Sequence, residues 1–339
     1  MYCIQPWDAI WLPRFVKPTL RAALPFWNLE QKMNERVIPR DLHGYNGNPP
    51  RARFPHGAAV AVSLAVNFEE GAEWAIADGD ATAERVAEIH SVVPAGRWDQ
   101  GTEQQFAYGM RAGIWRILDA LEQHKRHATF YMCGQAVERS PEIASRIVQA
   151  GHEAACHGWR WRPHADYQDR EAERADLRRC VQVLREVTGA APAGFFCRGS
   201  ESPWTRELLR EEGFLYTSNG LDDDLPYWAT AGAAGDRPLL VVPYAFDSND
   251  MKFFHPNGFV RADDMVGYIK DAIEVLLDEG RRGVPKLLNI GLHLRIVGRP
   301  GRFAAVKRIL DLLDSYGDEV WTPRRIDLAR YWQEHFPAR

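Results

Sequence analysis

The sequence predicts an α/β fold built from repeated strand–helix units, and three observations carry that prediction. Strand-like apolar runs alternate with helix-period stretches from about residue 56 to the end. The strands read as buried, as strands covered by helices on both faces do. The units number seven or eight, which favours a single parallel β/α barrel over a doubly wound sheet. Residues 1–55 stand apart, Pro- and Trp-rich without a clear period, and "GYNGNPPRARFPHG" (44–57) is a loop. They read as an N-terminal arm and loop, with the barrel spanning residues 56–339.

Taken in order, "AAVAVSLAVNFE" is the first buried strand, and residues 104–124 carry apolar side chains at 106, 110, 114, 117, 118 and 121, a helical stripe. "HATFYMCG" (127–134) is a strand. "SPEIASRIVQAG" (140–151) is a helix with a serine cap, proline in the first turn and a terminal glycine. Strand 152–158, helix 169–188, strand 193–199 and helix 202–213 follow, the last capped in the same way. Strands near 214–218 and 239–244 precede a helix over 263–279 and the strand "PKLLNIGLHLR" (285–295). Helix 302–316, the strand "DEVWTP" and helix 325–335 close the chain.

Composition excludes several classes. A formal net charge of −4 offers no basic footprint for nucleic acid. No stretch approaches the roughly 20 apolar residues of a membrane span. The N-terminus lacks an uninterrupted apolar segment, so no signal peptide is expected and the predicted compartment is the cytoplasm. Cys3, Cys133, Cys156, Cys180 and Cys197 show no C-x-x-C pair and no zinc spacing, and they read as reduced thiols.

In parallel α/β folds chemistry sits at the carboxyl ends of the strands. Those ends carry Glu69-Glu70, His157, Arg198 and His293, each placed where an apolar run stops. Two adjacent carboxylates in a walled site cannot both ionise cheaply, so one of them is expected to titrate high. Amide hydrolysis needs an activated water, a stabilised oxyanion and a proton for the leaving nitrogen. Glu69 is the candidate base and His293 the acid or electrophile, with Glu70 and His157 orienting water or substrate N–H groups. Arg198 could hold an oxyanion, or pair with the run Asp222-Asp223-Asp224. Trp159 and Trp161 are candidate walls; Asp224, Asp247, Asn249 and Arg295 are candidate substrate contacts. His124, His127, His152 and His255 read as structural or surface residues. Covalent routes are weaker. Cys156 and His157 alternate across a strand, as do Cys197 and Arg198, and Ser200 and Ser202 lack a G-x-S-x-G context.

The series "NFEEG", "GHEAACHGWRW", "FFCRG" and "GLHLR" resembles the polysaccharide deacetylase (NodB-homology) superfamily, whose members fold as a distorted seven- or eight-stranded β/α barrel and hydrolyse C–N bonds. "PRDLHGYNGNPP", "NFEEGAEWAIADGD", "DDDLPYW", "PYAFDSNDMKF" and "GLHLRIVGRPGR" resemble, within it, the branch of bacterial allantoinases and cyclic-imide hydrolases. Against the superfamily's T-F-D-D-G motif, Glu69 falls at the base position and Glu70 at a metal-ligand position. Against H-[ST]-x-x-H, His157 is kept and Trp161 fills the second histidine's place. An indole N–H cannot ligate a cation, and a catalytic zinc needs three protein ligands. The resemblance therefore implies metal-independent chemistry and no cofactor; zinc on Glu70, His157 and His164 is the alternative.

It also implies a small-molecule partner and a homo-oligomer, with a tetramer as the candidate form. The expected reaction is opening of a small cyclic amide, ureide or imide. The alternatives are a metal-dependent N-deacetylase of acetylated sugars or polysaccharide, and a barrel that only binds a ligand. "FFCRGSESPW" and "GLHLR" depart from the branch's "YTGRT" and "GLHCR", so the ring itself is left open.

Overall fold

The computed structural model describes residues 40–89, 91–229 and 238–338. The arm expected over residues 1–39 lies outside them. Residues 40–54 form no helix or strand, yet Ala52 and Phe54 are buried, Phe54 against Trp321 and Tyr331.

Among the described residues nine strands form one curled mixed sheet: β1 Val60–Phe68, β2 Thr129–Met132, β3 Glu153–Cys156, β4 Gly194–Phe195, β5 Tyr216–Thr217, β6 Tyr227–Ala229, β7 Leu239–Val241, β8 Lys286–His293 and β9 Val320–Trp321. Eight run in the order β6-β7-β5-β4-β3-β2-β1-β8, and β9 pairs with the start of β1. Every pairing is parallel except β6 with β7. The gap between β7 and β8 is bridged by the segment after β7, where Asn249 pairs with Gly291 and Gly291 N–H donates to Ser248. Gly291 is required there, because a Cβ would stand 2.2 Å from Asn249 Nδ2.

The alternation of β1 explains the layers. Val62, Leu64, Val66 and Phe68 face the surrounding helices in the main core, whereas Ala61, Ser63, Ala65 and Asn67 face inward. The small inward side chains leave room inside the curl for Tyr131, Phe196, Tyr244 and the fully buried Arg325. The Arg325 guanidinium donates to Ser218 Oγ, Asn289 Oδ1 and the carbonyls of Val242 and Pro243, so this charge is satisfied without water.

Several elements differ from expectation. The first helix is interrupted: Gln100–Tyr108 and Ile114–Gln123 are joined by a π-helical turn, Gly109–Gly113. The strand expected over 285–295 ends at His293, and Leu294–Val297 is a helical turn. Ser140 stands at its helix N-cap without a side-chain bond, and the helix after β4 starts only at Thr205. A short helix, Gly134–Arg139, and strand β6 were not expected from sequence. Among the described residues no helix is long and apolar enough to cross a membrane.

Candidate active site

Register brings the strand ends level. Asn67 pairs with His293, Phe68 with Met132, Met132 with Cys156, and Cys156 with Phe195. The next residue on three of these strands is Glu69, His157 or Phe196, so Glu69 and His157 arrive at one height, while His293 is level with Asn67, two residues earlier on the same face of β1.

Parity then separates the two glutamates. Glu69 continues the inward face of β1. Its Oε1 lies 3.3 Å from His293 Nε2 and 3.6 Å from His157 Nε2, and its Oε2 accepts from Arg295 Nη1 at 2.7 Å. Glu70 points to the helix side. Its Oε1 accepts from the Arg295 backbone N–H at 2.9 Å and its Oε2 from the Glu69 N–H at 3.2 Å. The π turn closes over it: a Cβ on Gly109 would stand 2.6 Å from Glu70 Oε1 and 2.9 Å from the Arg295 nitrogen. Such a turn often marks a functional position, and here it lets a glycine backbone reach the carboxylate.

Both histidines are oriented by their second nitrogen. His293 Nδ1 lies 2.6 Å from Asp250 Oδ1, and Asp250 Oδ2 accepts the His293 backbone N–H at 2.7 Å. His157 Nδ1–H donates to the Phe196 carbonyl, leaving Nε2 towards Glu69. Asn67 Nδ2 lies 3.2 Å from His293 Nε2 and donates to the Leu292 carbonyl and Tyr244 hydroxyl, which directs its Oδ1 away from them. The Arg295 guanidinium is held between aromatic faces, 4.3 Å from the Phe106 centroid and 4.7 Å from that of Trp161.

The charge pattern follows. Burial alone would raise Glu69, but the charges of Arg295 and His293, with a hydrogen bond from His293, hold it well below the usual carboxylate range. Burial pushes Glu70 up to about 7, with Arg295 opposing and Glu69 reinforcing. The high-titrating carboxylate is therefore Glu70, and the candidate base is the low one. Burial would lower His293, but the charges of Asp250 and Glu69 push it up to about 9.

Glu69, His157, His293 and Arg295 come together as expected, and Trp161 lines Arg295. Other expectations are corrected. Arg198 forms a two-pronged pair with Glu84, at 2.7 and 3.0 Å, and stacks on Trp161; its ion-pair partner is Glu84 and not the Asp222–Asp224 run. Trp159 packs under Arg179 and against Gly134, outside the cluster. Asp224 is exposed at the opposite end of the sheet, where its carbonyl accepts from Leu287 near the start of β8. Asp247 is exposed and accepts from Tyr268. Asn249 supports the site from below: it donates to Tyr244 and caps the turn that carries Asp250. Sequence reasoning missed Asp250, Asn67, Tyr244 and Phe106. Asp250 lies within "PYAFDSNDMKF", but nothing in its local pattern points to His293.

The donor set does not fit a metal ion. Both Glu70 oxygens accept backbone N–H groups, and His157 faces Glu69. His164 lies with Glu173 at 2.8 Å in a separate buried cluster with Ser202 and Thr205. A fixed cation, the Arg295 guanidinium, already stands 2.7 Å from Glu69 and 3.6 Å from Glu70.

Residues 98–216 match the family model described as polysaccharide deacetylase. A putative polysaccharide deacetylase of Schizosaccharomyces pombe is 34% identical over 318 residues, covering 88% of this chain and 98% of that protein. The chain belongs to the polysaccharide deacetylase family. Within the solved structures of the family's fold, a probable polysaccharide deacetylase from Pseudomonas aeruginosa PAO1 superposes with a TM-score of 0.83 and Puue allantoinase with 0.84. Each is 40% identical and covers 89% of this chain and 100% of its own.

Proposed function

We propose that this family member is a hydrolase of non-peptide C–N bonds that opens a small cyclic amide, ureide or imide. The observation that carries this reading is the set of buried polar atoms without a partner around Glu69: Asn67 Oδ1, His157 Nε2, and Arg295 Nε and Nη2. Leaving such atoms unpaired is costly, so they mark where a ligand pairs. They comprise two acceptors and a guanidinium donor edge. A ring amide is held cis and presents its C=O and N–H on one side, which matches such a set. The likeness to an allantoinase supports the same class.

In the proposed reaction a water oxygen attacks the ring carbonyl carbon and its proton passes to the Glu69 carboxylate. Arg295 holds the oxygen that gains charge. His293 then gives its proton to the nitrogen as the C–N bond breaks, leaving a carboxylate and an amine, ureide or carboxamide end for a cyclic amide, ureide or imide respectively. A base held low and an acid held high are weak as such, but both occupy their working protonation states throughout the neutral range.

The test follows ring opening, by acid–base titration or loss of ring absorbance, over allantoin, hydantoins and cyclic imides beside acetylated chitooligosaccharides. Ring opening without acetate release is expected; acetate release with every ring intact contradicts the reading.

The acid's role sets the pH dependence. His293 must be protonated, so kcat/KM falls as pH rises through about 9. Asp250→Asn removes the largest charge holding that proton and moves the alkaline limb down towards about 6.5, the ordinary histidine value. An alkaline limb that stays in place in Asp250→Asn excludes His293 as the acid.

A further inference from the structure

Among the described residues, a cavity lined by the helix Pro300–Ser315 and residues 260–263 lies outside the catalytic cluster. It encloses about 730 Å³, and its walls carry four guanidinium groups, Arg261, Arg299, Arg302 and Arg308, against two carboxylates, Glu88 and Asp263. None of Glu69, His157 and His293 lines it. We propose that it is a second binding site, for a small multiply charged oxyanion of the oligophosphate or polycarboxylate class.

Like charges gather here without full internal compensation. Arg302 meets Glu88 at 2.6 Å and Arg308 bonds Asp263, but Arg299 reaches Glu88 only at 3.9 Å. Arg299 Nε and Arg302 Nη1 are buried with no hydrogen-bond partner. The helix Pro300–Ser315 also opens onto the cavity, with proline at its first position and no side-chain cap. The amides of Gly301 and Arg302 lie in its first turn, where no intrahelical acceptor exists. A Cβ on Gly301 would meet nothing within 4 Å, so that approach is open. Planar guanidinium forks and free helix amides together suit oxyanions carrying more than one charge.

Isothermal titration of the full chain with pyrophosphate, and separately with citrate, in a low-salt buffer free of both tests the proposal. One-to-one binding of at least one anion at sub-millimolar strength is expected; binding of pyrophosphate alone assigns phosphoryl groups, and of citrate alone carboxylates. Arg261 and Arg308 are exposed, so Arg261→Ala/Arg308→Ala keeps the fold while weakening binding by about tenfold or more, 1.4 kcal/mol. Glu88→Gln frees Arg302 and tightens binding. Glu69→Gln leaves the affinity unchanged. No binding of either anion, equal binding by the double variant, or loss of binding in Glu69→Gln would each overturn the assignment.

Discussion

Glu69→Gln lowers kcat by at least about 10²-fold, the usual scale for a positioned base. The amide is nearly isosteric, but it cannot take the proton of the attacking water. It also removes the negative charge between Arg295 and His293, so the His293 proton is held less tightly and the alkaline limb moves down in the residual activity. Steady-state kinetics over pH, with circular dichroism to verify folding, reads both effects. Near-full turnover in Glu69→Gln, with loss in Glu70→Gln, would reverse the roles of the two carboxylates.

Arg295→Met produces the largest combined loss. Arg295 is 3% exposed and faces both carboxylates, so its removal leaves Glu70 buried without a counter-charge and Glu69 with His293 alone. Breaking such a pair costs about 3–5 kcal/mol of stability, and loss of the oxyanion donor lowers kcat by about 10²–10³-fold. The sign with pH is definite. Without Arg295 the carboxylates titrate higher in the folded state, so the destabilisation is greatest at alkaline pH and shrinks as acid protonates them. Urea unfolding at pH 5 and pH 8 measures this, and adding Glu70→Gln to Arg295→Met should restore part of the loss at pH 8. An equal loss at both pH values would show that Arg295 contributes by packing alone.

Much of this site was legible because strand physics is local. An apolar run that stops at an ionisable residue placed Glu69, His157 and His293 at strand ends, and parallel pairing brought those ends together. The alternation of β1 would have separated Glu69 from Glu70 as well, had the inner face been identified by its small residues Ala61, Ser63 and Ala65. What failed lay beyond the strands. Arg198 sits at a strand end like the others, yet its long side chain turns to Glu84, on a loop whose path no periodicity reveals. Asp224 belongs to a connection that returns to the amino end of β8, so its acidity said nothing of its place. Asp250 is one of two aspartates in a single polar turn, and only the Asn249–Gly291 bridge selects it for His293. Arg295 was expected at the site on an extended strand; the switch to a helical turn after His293 is what brings its amide to Glu70 and its guanidinium to Glu69.

The central claim is that a fixed guanidinium, with Glu69 and His293, supports ring opening where the donor set does not suit a metal. The most direct test is kcat for ring opening by protein exhaustively treated with chelator, with its metal content measured on the same sample, before and after zinc is added. The account predicts full turnover at negligible metal content and no gain from zinc. Turnover lost on chelation and restored by one equivalent of zinc would contradict it.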